Sequence, residues 1–184
     1  MLIGITGTDG AGKGTVVDYL VQKKDFTHYS ARAIFIDELT KQGRGLTRID
    51  LRLMGNELRE KYGNDFLVTY YLKKMSEDNV QNAVIESIRA VSEAEALKKA
   101  GGVLLAVDAD QELRYTRVQE RRSESDRVSF EQFAEHEKLE NNDPNPHGMQ
   151  KQRVIEMADY VIKNDGNRED LFDKIDATYE KISS

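Results

Sequence analysis

The chain contains no cysteine at any of its 184 positions. Disulfide bonds and zinc sites built on cysteine are therefore excluded. A chain without cysteine suits a reducing compartment, so we expect a cytoplasmic protein. The length is sufficient for one domain with a substantial core, and we expect residues 1–184 to form a single domain.

Long apolar runs are also missing. No stretch approaches the roughly 18–20 apolar residues of a membrane-spanning helix, and residues 2–5 already read as a strand, without the segments of a secretion signal. We therefore expect neither a membrane partner nor a leader. An excess of positive charge is also missing, because 33 Asp and Glu outnumber 27 Lys and Arg and the net charge is −6. With this net charge, we do not expect the protein to bind nucleic acid through nonspecific contacts with phosphates.

Proline occurs only twice, at Pro144 and Pro146. Both lie in residues 142–148, which we predict to be an irregular loop. Elsewhere, strand-like runs alternate with helical patterns, which predicts an α/β fold with a five-stranded parallel sheet and helices on both faces. Ligands of such sheets lie at the carboxyl ends of the strands. The predicted strands are residues 2–5, 26–30, 82–86, 103–108 and 158–164.

A glycine-rich segment, residues 7–15, separates the first strand from the first helix. The spacing of Gly7, Gly12 and Lys13 is typical of a loop that binds the phosphates of a nucleoside triphosphate. Glycine lets backbone N–H groups turn toward phosphate oxygens, and the helix that follows favours an anion at its start. Lys13 is predicted to reach the β- and γ-phosphates, and Thr15 to bind Mg²⁺. The residues predicted to bind ATP here are Gly7, Asp9, Gly10, Ala11, Gly12, Lys13, Gly14 and Thr15.

The third predicted strand ends in a carboxylate that is followed by an arginine, Glu86-Ser87-Ile88-Arg89. An acid at this position can hold Mg²⁺, directly or through water. An arginine three residues later can bind a phosphate with two parallel hydrogen bonds. Glu86 is therefore a predicted metal ligand and Arg89 a predicted acceptor-binding residue. The alternative is that the two side chains simply pair with each other.

Arginine is concentrated in one segment, because five of the thirteen arginines lie between residues 114 and 127. Arg114, Arg117 and Arg121 recur at helical spacing and share one face. Phosphoryl transfer develops charge that arginines stabilise. The alternative is a solvated helix face whose arginines pair with acids of the same helix. The residues predicted to act on the transferred group are Arg117, Arg121 and Arg122.

Two regions are predicted to surround an acceptor. Residues of about 117–148 would form a lid that excludes water, and the helical region of about 31–80 would bind the acceptor. In the latter, Arg48, Arg52 and Arg59 share one helical face and could surround an acceptor phosphate, although a solvent-exposed face is the alternative. The residues predicted to bind the acceptor are Arg32, Arg59 and Arg89.

Histidine is rare and does not suggest a site. His28, His136 and His147 have neither the spacing of metal ligands nor plausible partners for a catalytic triad. We predict that all three are structural or surface residues.

Several segments resemble one enzyme family. Residues 7–15 resemble the phosphate loop of nucleoside-monophosphate kinases, and the Gly-Lys-Gly-Thr ending is especially similar to adenylate kinases. Residues 84–89 resemble their strand-end motif, and the arginines at 117, 121 and 122 match those of their lid-bearing helix in position. Residues 158–166 resemble a segment of dephospho-CoA kinases and of adenylate-kinase-like archaeal proteins that passes near the adenine of ATP. That resemblance places Asn164 in the predicted ATP site.

The resemblance implies a P-loop kinase that moves the γ-phosphoryl group of ATP, with Mg²⁺, to a nucleoside or deoxynucleoside monophosphate. The chain departs from adenylate kinases at Ser30-Ala31-Arg32-Ala33, where those enzymes have Ser-Thr-Gly-Asp. Three alternatives remain open: a dephospho-CoA kinase, a kinase of a non-nucleotide metabolite, and an ATP-binding switch that transfers nothing. The sequence makes no prediction of the oligomeric state.

Overall fold

The computed structural model describes residues 1–120 and 128–183, and five strands of these residues form one sheet. The strands are β1 (Leu2–Gly7), β2 (Thr27–Ser30), β3 (Ala83–Glu86), β4 (Val103–Asp108) and β5 (Tyr160–Lys163). The helices are α1 (Lys13–Lys24), α2 (Ala31–Lys41), α3 (Arg48–Tyr62), α4 (Phe66–Glu77), α5 (Val91–Lys99), α6 (Gln111–Glu120), α7 (Phe130–Asn141), α8 (Lys151–Glu156) and α9 (Arg168–Ser183).

The sheet has the strand order β2-β3-β1-β4-β5, and each neighbouring pair is parallel. Parallel neighbours need a crossover between them, which the intervening helices supply. The predicted α/β fold with a five-stranded parallel sheet is therefore confirmed. Strand boundaries differ from the prediction by a few residues. Phe26, for example, does not join β2, because its amide donates to the carbonyl of Leu20 at the end of α1.

The hydrophobic core lies in two layers, one on each face of the sheet. Ile3 and Ile5 of β1 pack on one face with residues of α1 and α9. Ile85 of β3 and Leu104 of β4 pack on the other face with helices α2 to α5. Since successive residues of a strand point to opposite faces, strands buried on both sides must be apolar nearly throughout. The apolar sequence of β4 follows from this arrangement.

The register of the strands brings the predicted functional segments to one edge. Glu86 at the end of β3 lies between Ile5 of β1 and Ser30 of β2. Gly7, the last residue of β1, pairs with Val107 of β4. The glycine-rich loop and the strand-end motif of residues 86–89 therefore meet at the carboxyl edge of the sheet, as expected. No helix of the described residues combines the length and apolar composition needed to cross a bilayer.

Candidate functional site

The loop between β1 and α1 depends on glycine for its close contacts. Gly12 has φ +99°, and a Cβ there would lie 2.5 Å from the amide nitrogen of Asn164. A Cβ at Gly7 would lie 1.9 Å from the carbonyl oxygen of Val107. Neither position can carry a side chain without a shift of its neighbours. Close packing therefore requires glycine at both positions, and α1 begins immediately after the loop, at Lys13.

The side chain of Lys13 lies across this loop. Its ammonium group donates to the carbonyl oxygens of Gly7, at 3.1 Å, and of Thr8, at 2.7 Å. Burial, together with the positive charges of Lys151 and Arg89, lowers the pKa of Lys13 to about 8, against the opposing effects of Asp9 and Glu86. An anion at this position would restore the full charge of the ammonium group.

A cavity of about 550 Å³ opens from the loop toward α2 and α3. It brings together the loop, the strand-end residues Glu86 and Arg89, and apolar side chains that include Phe35 and Leu51. All three residues that the sequence assigned to the acceptor line it. The cationic residues in its wall are Lys13, Arg32, Arg48, Arg52, Arg59 and Arg89.

A second cavity, of about 360 Å³, lies beside the same loop. Gly10, Gly12 and Thr15 line it together with Arg117 and Asn164. Gly10, Gly12 and Thr15 also line the larger cavity, so the two cavities meet at the glycine-rich loop. The structure thus brings Arg117 and Asn164 to the glycine-rich loop, and the roles predicted for the two residues stay predictions.

The arginines of the larger cavity differ in their surroundings. Arg59 is almost fully buried and its Nε donates to Glu93 at 2.9 Å, so its predicted role toward an acceptor stays a prediction. Arg52 donates to Asp143 at 3.1 Å. Arg32 is exposed and makes no hydrogen bond or ion pair with another described residue. Arg32 is therefore the cation of this group that is most available to a ligand among the described residues.

A cluster of buried charges joins the loop to the far wall of the cavity. Lys151 is fully buried, and its ammonium group lies 3.2 Å from Asp9 and 2.8 Å from Glu140. Arg48 donates to the same two carboxylates, and Arg89 lies 3.6 Å from Asp9 and 3.7 Å from Glu140. Burial raises the pKa values of Asp9 and Glu140, but the surrounding cations lower both below their usual range.

Sequence reasoning missed Glu140 and Lys151, because neither belongs to a recognisable motif. A weak signal exists for Lys151. It stands three residues before Val154, and these two are the buried residues of α8. A lysine on the apolar face of a helix requires a carboxylate partner when it is buried.

Glu86 lies near both the loop and a histidine. The hydrogen bond with His28, whose Nε2 is 3.1 Å from the carboxylate, contributes most to lowering the pKa of Glu86. Lys13 and Arg89 lower it further, while burial acts in the opposite direction. The predicted structural histidine therefore contacts the predicted metal ligand.

The residues present fit Mg²⁺ that is held mainly by a nucleotide. Among residues 1–120 and 128–183, no group of three carboxylate or imidazole side chains converges on one point. Mg²⁺ in such sites takes one or two protein oxygens and completes its shell with phosphates and water. The hydroxyl of Thr15 and the carboxylate of Glu86, which line one cavity, would supply oxygen ligands of this kind.

The arginines of α6 have separate roles. Arg114 is buried, and both of its terminal nitrogens donate to Glu137 of α7, so the alternative of pairing with acids of its own helix is wrong for this residue. Arg117 donates to the carbonyl oxygens of Asn164, at 2.8 Å, and Gly166, at 3.4 Å. Two residues predicted to be catalytic, Arg121 and Arg122, lie outside the described residues.

Comparison with known proteins shows the family to which the chain belongs. Residues 3–145 match the family model described as "AAA domain". A UPF0200 protein of Methanococcus maripaludis is 30% identical over 184 residues, which cover 98% of this chain and 97% of the relative. The two proteins are therefore similar over nearly their whole lengths.

Solved structures with the same fold include two kinases. A shikimate kinase from Bacteroides thetaiotaomicron has a TM-score of 0.63 at 15% identity and covers 100% of this chain and 99% of its own. A sugar kinase from Janibacter has a TM-score of 0.54 at 16% identity and covers 98% and 94%. At these identities the likeness concerns the fold, which is the predicted P-loop kinase fold. The chain thus belongs to the AAA-domain family of P-loop proteins and to the UPF0200 proteins.

Proposed function

We propose that the protein transfers the γ-phosphoryl group of ATP to a nucleoside or deoxynucleoside monophosphate. One observation carries this proposal: the phosphate-binding loop and several arginines of α2, α3 and the strand-end motif line the same cavity of about 550 Å³. A site for two substrates that react directly needs this proximity. An ATP-dependent reaction also suits the cytoplasmic location that we expect from the absence of cysteine.

The donor side is supported by the loop and the smaller cavity. The backbone amides of residues 7–15 and the ammonium group of Lys13 would hold the phosphates of ATP. Arg117 and Asn164 line the adjoining cavity, where the rest of the nucleotide would lie. Thr15 and Glu86 would hold Mg²⁺, which neutralises charge on the phosphates when bound.

The acceptor side is supported by charge and by shape. Arg32 makes no ion pair with another described residue, and Arg89 makes only ion pairs longer than 3.5 Å, so both guanidinium groups are available to a phosphate. Phe35, Leu51 and Met149 add an apolar wall to the same cavity, which suits a planar base. The sequence also predicts that Arg117, Arg121 and Arg122 stabilise charge on the transferred group, although Arg117 lines the smaller cavity, beside the rest of the donor nucleotide.

An ATP-consumption assay with a panel of acceptors tests the proposal. The panel contains AMP, CMP, UMP, GMP, their deoxy forms, dephospho-CoA, shikimate and simple sugars. We expect turnover with at least one monophosphate. Replacement Lys13→Ala should lower kcat by roughly 10²–10³-fold, since the ammonium group acts on charge that develops in the transition state.

The matched control is Lys98→Ala, which removes a lysine from an ion pair with Asp159 away from the cavity. This variant should keep normal turnover. A folded Lys13→Ala variant with near-normal activity would contradict the assignment of the donor site.

A kinase for another small molecule is the second candidate. The solved neighbours named above are a shikimate kinase and a sugar kinase, whose acceptors are not nucleotides by name. Turnover confined to shikimate or a sugar would favour this candidate. Turnover with dephospho-CoA alone would favour the kinase that residues 158–166 resemble. Binding of ATP without any turnover would favour a nucleotide-dependent switch.

A further inference from the structure

Several arginines on the acceptor side of the cavity are already paired with carboxylates. Glu140, at the end of α7, shares its cationic partners with Asp9 of the loop and differs in its partners from the other two acids of this group. Asp143 also accepts a backbone N–H from Asn145, and Glu93 accepts backbone N–H groups at the start of α5. The hydrogen bonds that Glu140 accepts come from cationic side chains.

The contacts of Glu140 come from three separate elements. One carboxylate oxygen accepts from Arg48 at 2.7 and 3.0 Å, and the other accepts from Lys151 at 2.8 Å. Arg89 lies 3.7 Å away. The side chain of Glu140 is 4% exposed, and the residue lines the same cavity as Arg32 and Arg89. Glu140 thus shares these cations with Asp9, and it occupies part of the contact surface of Arg48 and Arg89, the two of them that line the cavity.

We propose that Glu140 competes with the phosphate of the acceptor, and that this phosphate replaces the Glu140 carboxylate on Arg48 and Arg89, the two of its cationic partners that line the cavity. The inference rests on the proposed function, because it takes the acceptor side of the cavity as an anion site. It adds the group that the acceptor must displace and the cations that it gains.

Charge decides which ligands can make this exchange. Arg48, Arg89 and Lys151 carry three positive charges, and Asp9 and Glu140 carry two negative ones, so these five groups together have a net charge of +1. A phosphate ester dianion brings two charges in place of one carboxylate and gains attraction. A monoanion gains little additional attraction to the cations, and water gains none. Neither therefore compensates for the loss of the contacts that Glu140 makes. Glu140 therefore favours the binding of an acceptor with a phosphate dianion over the binding of monoanionic or neutral ligands.

The inference is distinguishable from a purely structural ion pair because α7 contains a matched acid. Glu137 lies one turn earlier, is also buried, and pairs with Arg114, which does not line the larger cavity. Replacement of either acid by glutamine removes the same charge from the same helix. Only the replacement at residue 140 releases cations that face the cavity.

The test measures the affinity of inorganic phosphate at pH 8 and constant ionic strength, from the rise of Tm with phosphate concentration. Saturating Mg-ADP occupies the glycine-rich loop, and its own binding is measured first. We expect Glu140→Gln to bind phosphate about tenfold more tightly than the unmodified protein, within the ordinary range of coupling between sites. Glu137→Gln should stay within about twofold of the unmodified protein.

Equal affinity of Glu140→Gln and the unmodified protein would overturn the inference, and so would an equal gain in both glutamine variants. Failure of Mg-ADP to bind would count against the donor site of the proposed function. This outcome is distinguishable, because the binding of Mg-ADP is measured before phosphate is added. If Glu140→Gln does not fold, Glu140→Asp retains the charge but shortens the side chain by one methylene group, which should weaken its contacts with Arg48 and Lys151. This variant should show a smaller gain in phosphate affinity, and no gain would again contradict the inference.

Discussion

Glycine is required at some positions of the glycine-rich segment and not at others. Gly12 combines a positive φ with a close approach to Asn164, whereas Gly14 lies in α1, where a Cβ would meet no atom within 4 Å. The same residue type is thus obligatory at one position and replaceable two positions later. This difference follows from the backbone conformation and from the packing of Asn164, just after β5, against the loop.

We expect Gly12→Ala to weaken the binding of Mg-ATP by at least about tenfold, because strain at this position displaces the loop. Gly14→Ser, which introduces the residue type usual in such loops, should bind Mg-ATP within about twofold of the unmodified protein. Isothermal titration calorimetry on both folded variants checks this prediction. Equal losses in the two variants would show that the packing against Asn164 is not the cause.

Asp9 links the stability of the protein to pH. Burial raises the pKa of Asp9, but Lys151, Arg89, Lys13 and Arg48 together hold it well below its usual range. The ionised carboxylate therefore stabilises the folded state above a pH of about 4, the ordinary value for an aspartate. This stabilisation disappears as the pH falls through the lower pKa of the folded state.

We expect Asp9→Asn to lower the free energy of unfolding at pH 7 by roughly 3 kcal/mol, because buried cations lose a charged partner. The difference from the unmodified protein should shrink as the pH falls below about 4. Urea unfolding at a series of pH values measures both quantities. A difference that stays constant down to the lowest pH at which the protein is folded would contradict this account.

At the level of elements, one buried ion pair connects α3 to the start of α5. Arg59 donates to Glu93, which also accepts the backbone N–H groups of Arg89 and Ala90. Glu93 thereby ties α3 to the turn that carries the strand-end motif. The face that the sequence assigned to the acceptor therefore contains a residue that holds two elements together.

We expect Arg59→Met to cost about 3–5 kcal/mol of unfolding free energy, because Glu93 would remain buried without its cation. Arg52→Met should cost less, since the side chain of Arg52 is 22% exposed. Urea midpoints compare the two variants, and the acceptor KM of each folded variant shows separately whether either guanidinium binds the acceptor. Equal stability of Arg59→Met and the unmodified protein would contradict the structural role of the ion pair between Arg59 and Glu93.

At the level of the whole molecule, the two cavities meet at the carboxyl edge of the sheet. Strand β3, the segments that follow β1 and β5, α6 and the first turn of α1 all contribute residues to this region. A ligand that contacts all of them adds its binding free energy to the stability of the entire fold.

Mg-ATP at about one hundred times its Kd should stabilise the protein by about 2.7 kcal/mol, which corresponds to a rise in Tm of roughly 5–10 °C for a chain of this size. Removal of Mg²⁺ by EDTA should reduce this rise, since Thr15 and Glu86 then lack the ion that links them to the phosphates. Scanning calorimetry measures the shift. An unchanged Tm with Mg-ATP would contradict the proposed donor site.

Much of the fold could be predicted because its signals are local. The apolar run of β4 follows from burial on both of its faces. The amphipathic pattern of α3 follows from burial on one face only. The glycine-rich loop was predictable because only glycine fits its backbone, and its neighbours along the chain are the required strand and helix.

Contacts between distant residues were beyond such reasoning. The pairing of Arg114 with Glu137, of Arg59 with Glu93, and the position of Lys151 against Asp9 join residues that are 23, 34 and 142 positions apart. No local spacing specifies these partners.

The sequence by itself determined the parallel α/β sheet, the phosphate-binding loop and the arginine-rich chemistry around it. Only the tertiary structure decided which arginines face a ligand and which are already neutralised by a carboxylate. The physical reason is that a side chain's type sets its charge, whereas its burial and partners depend on elements that meet only when the sheet forms. Arg32 and Arg59 have the same charge, but only Arg59 is held by a buried acid.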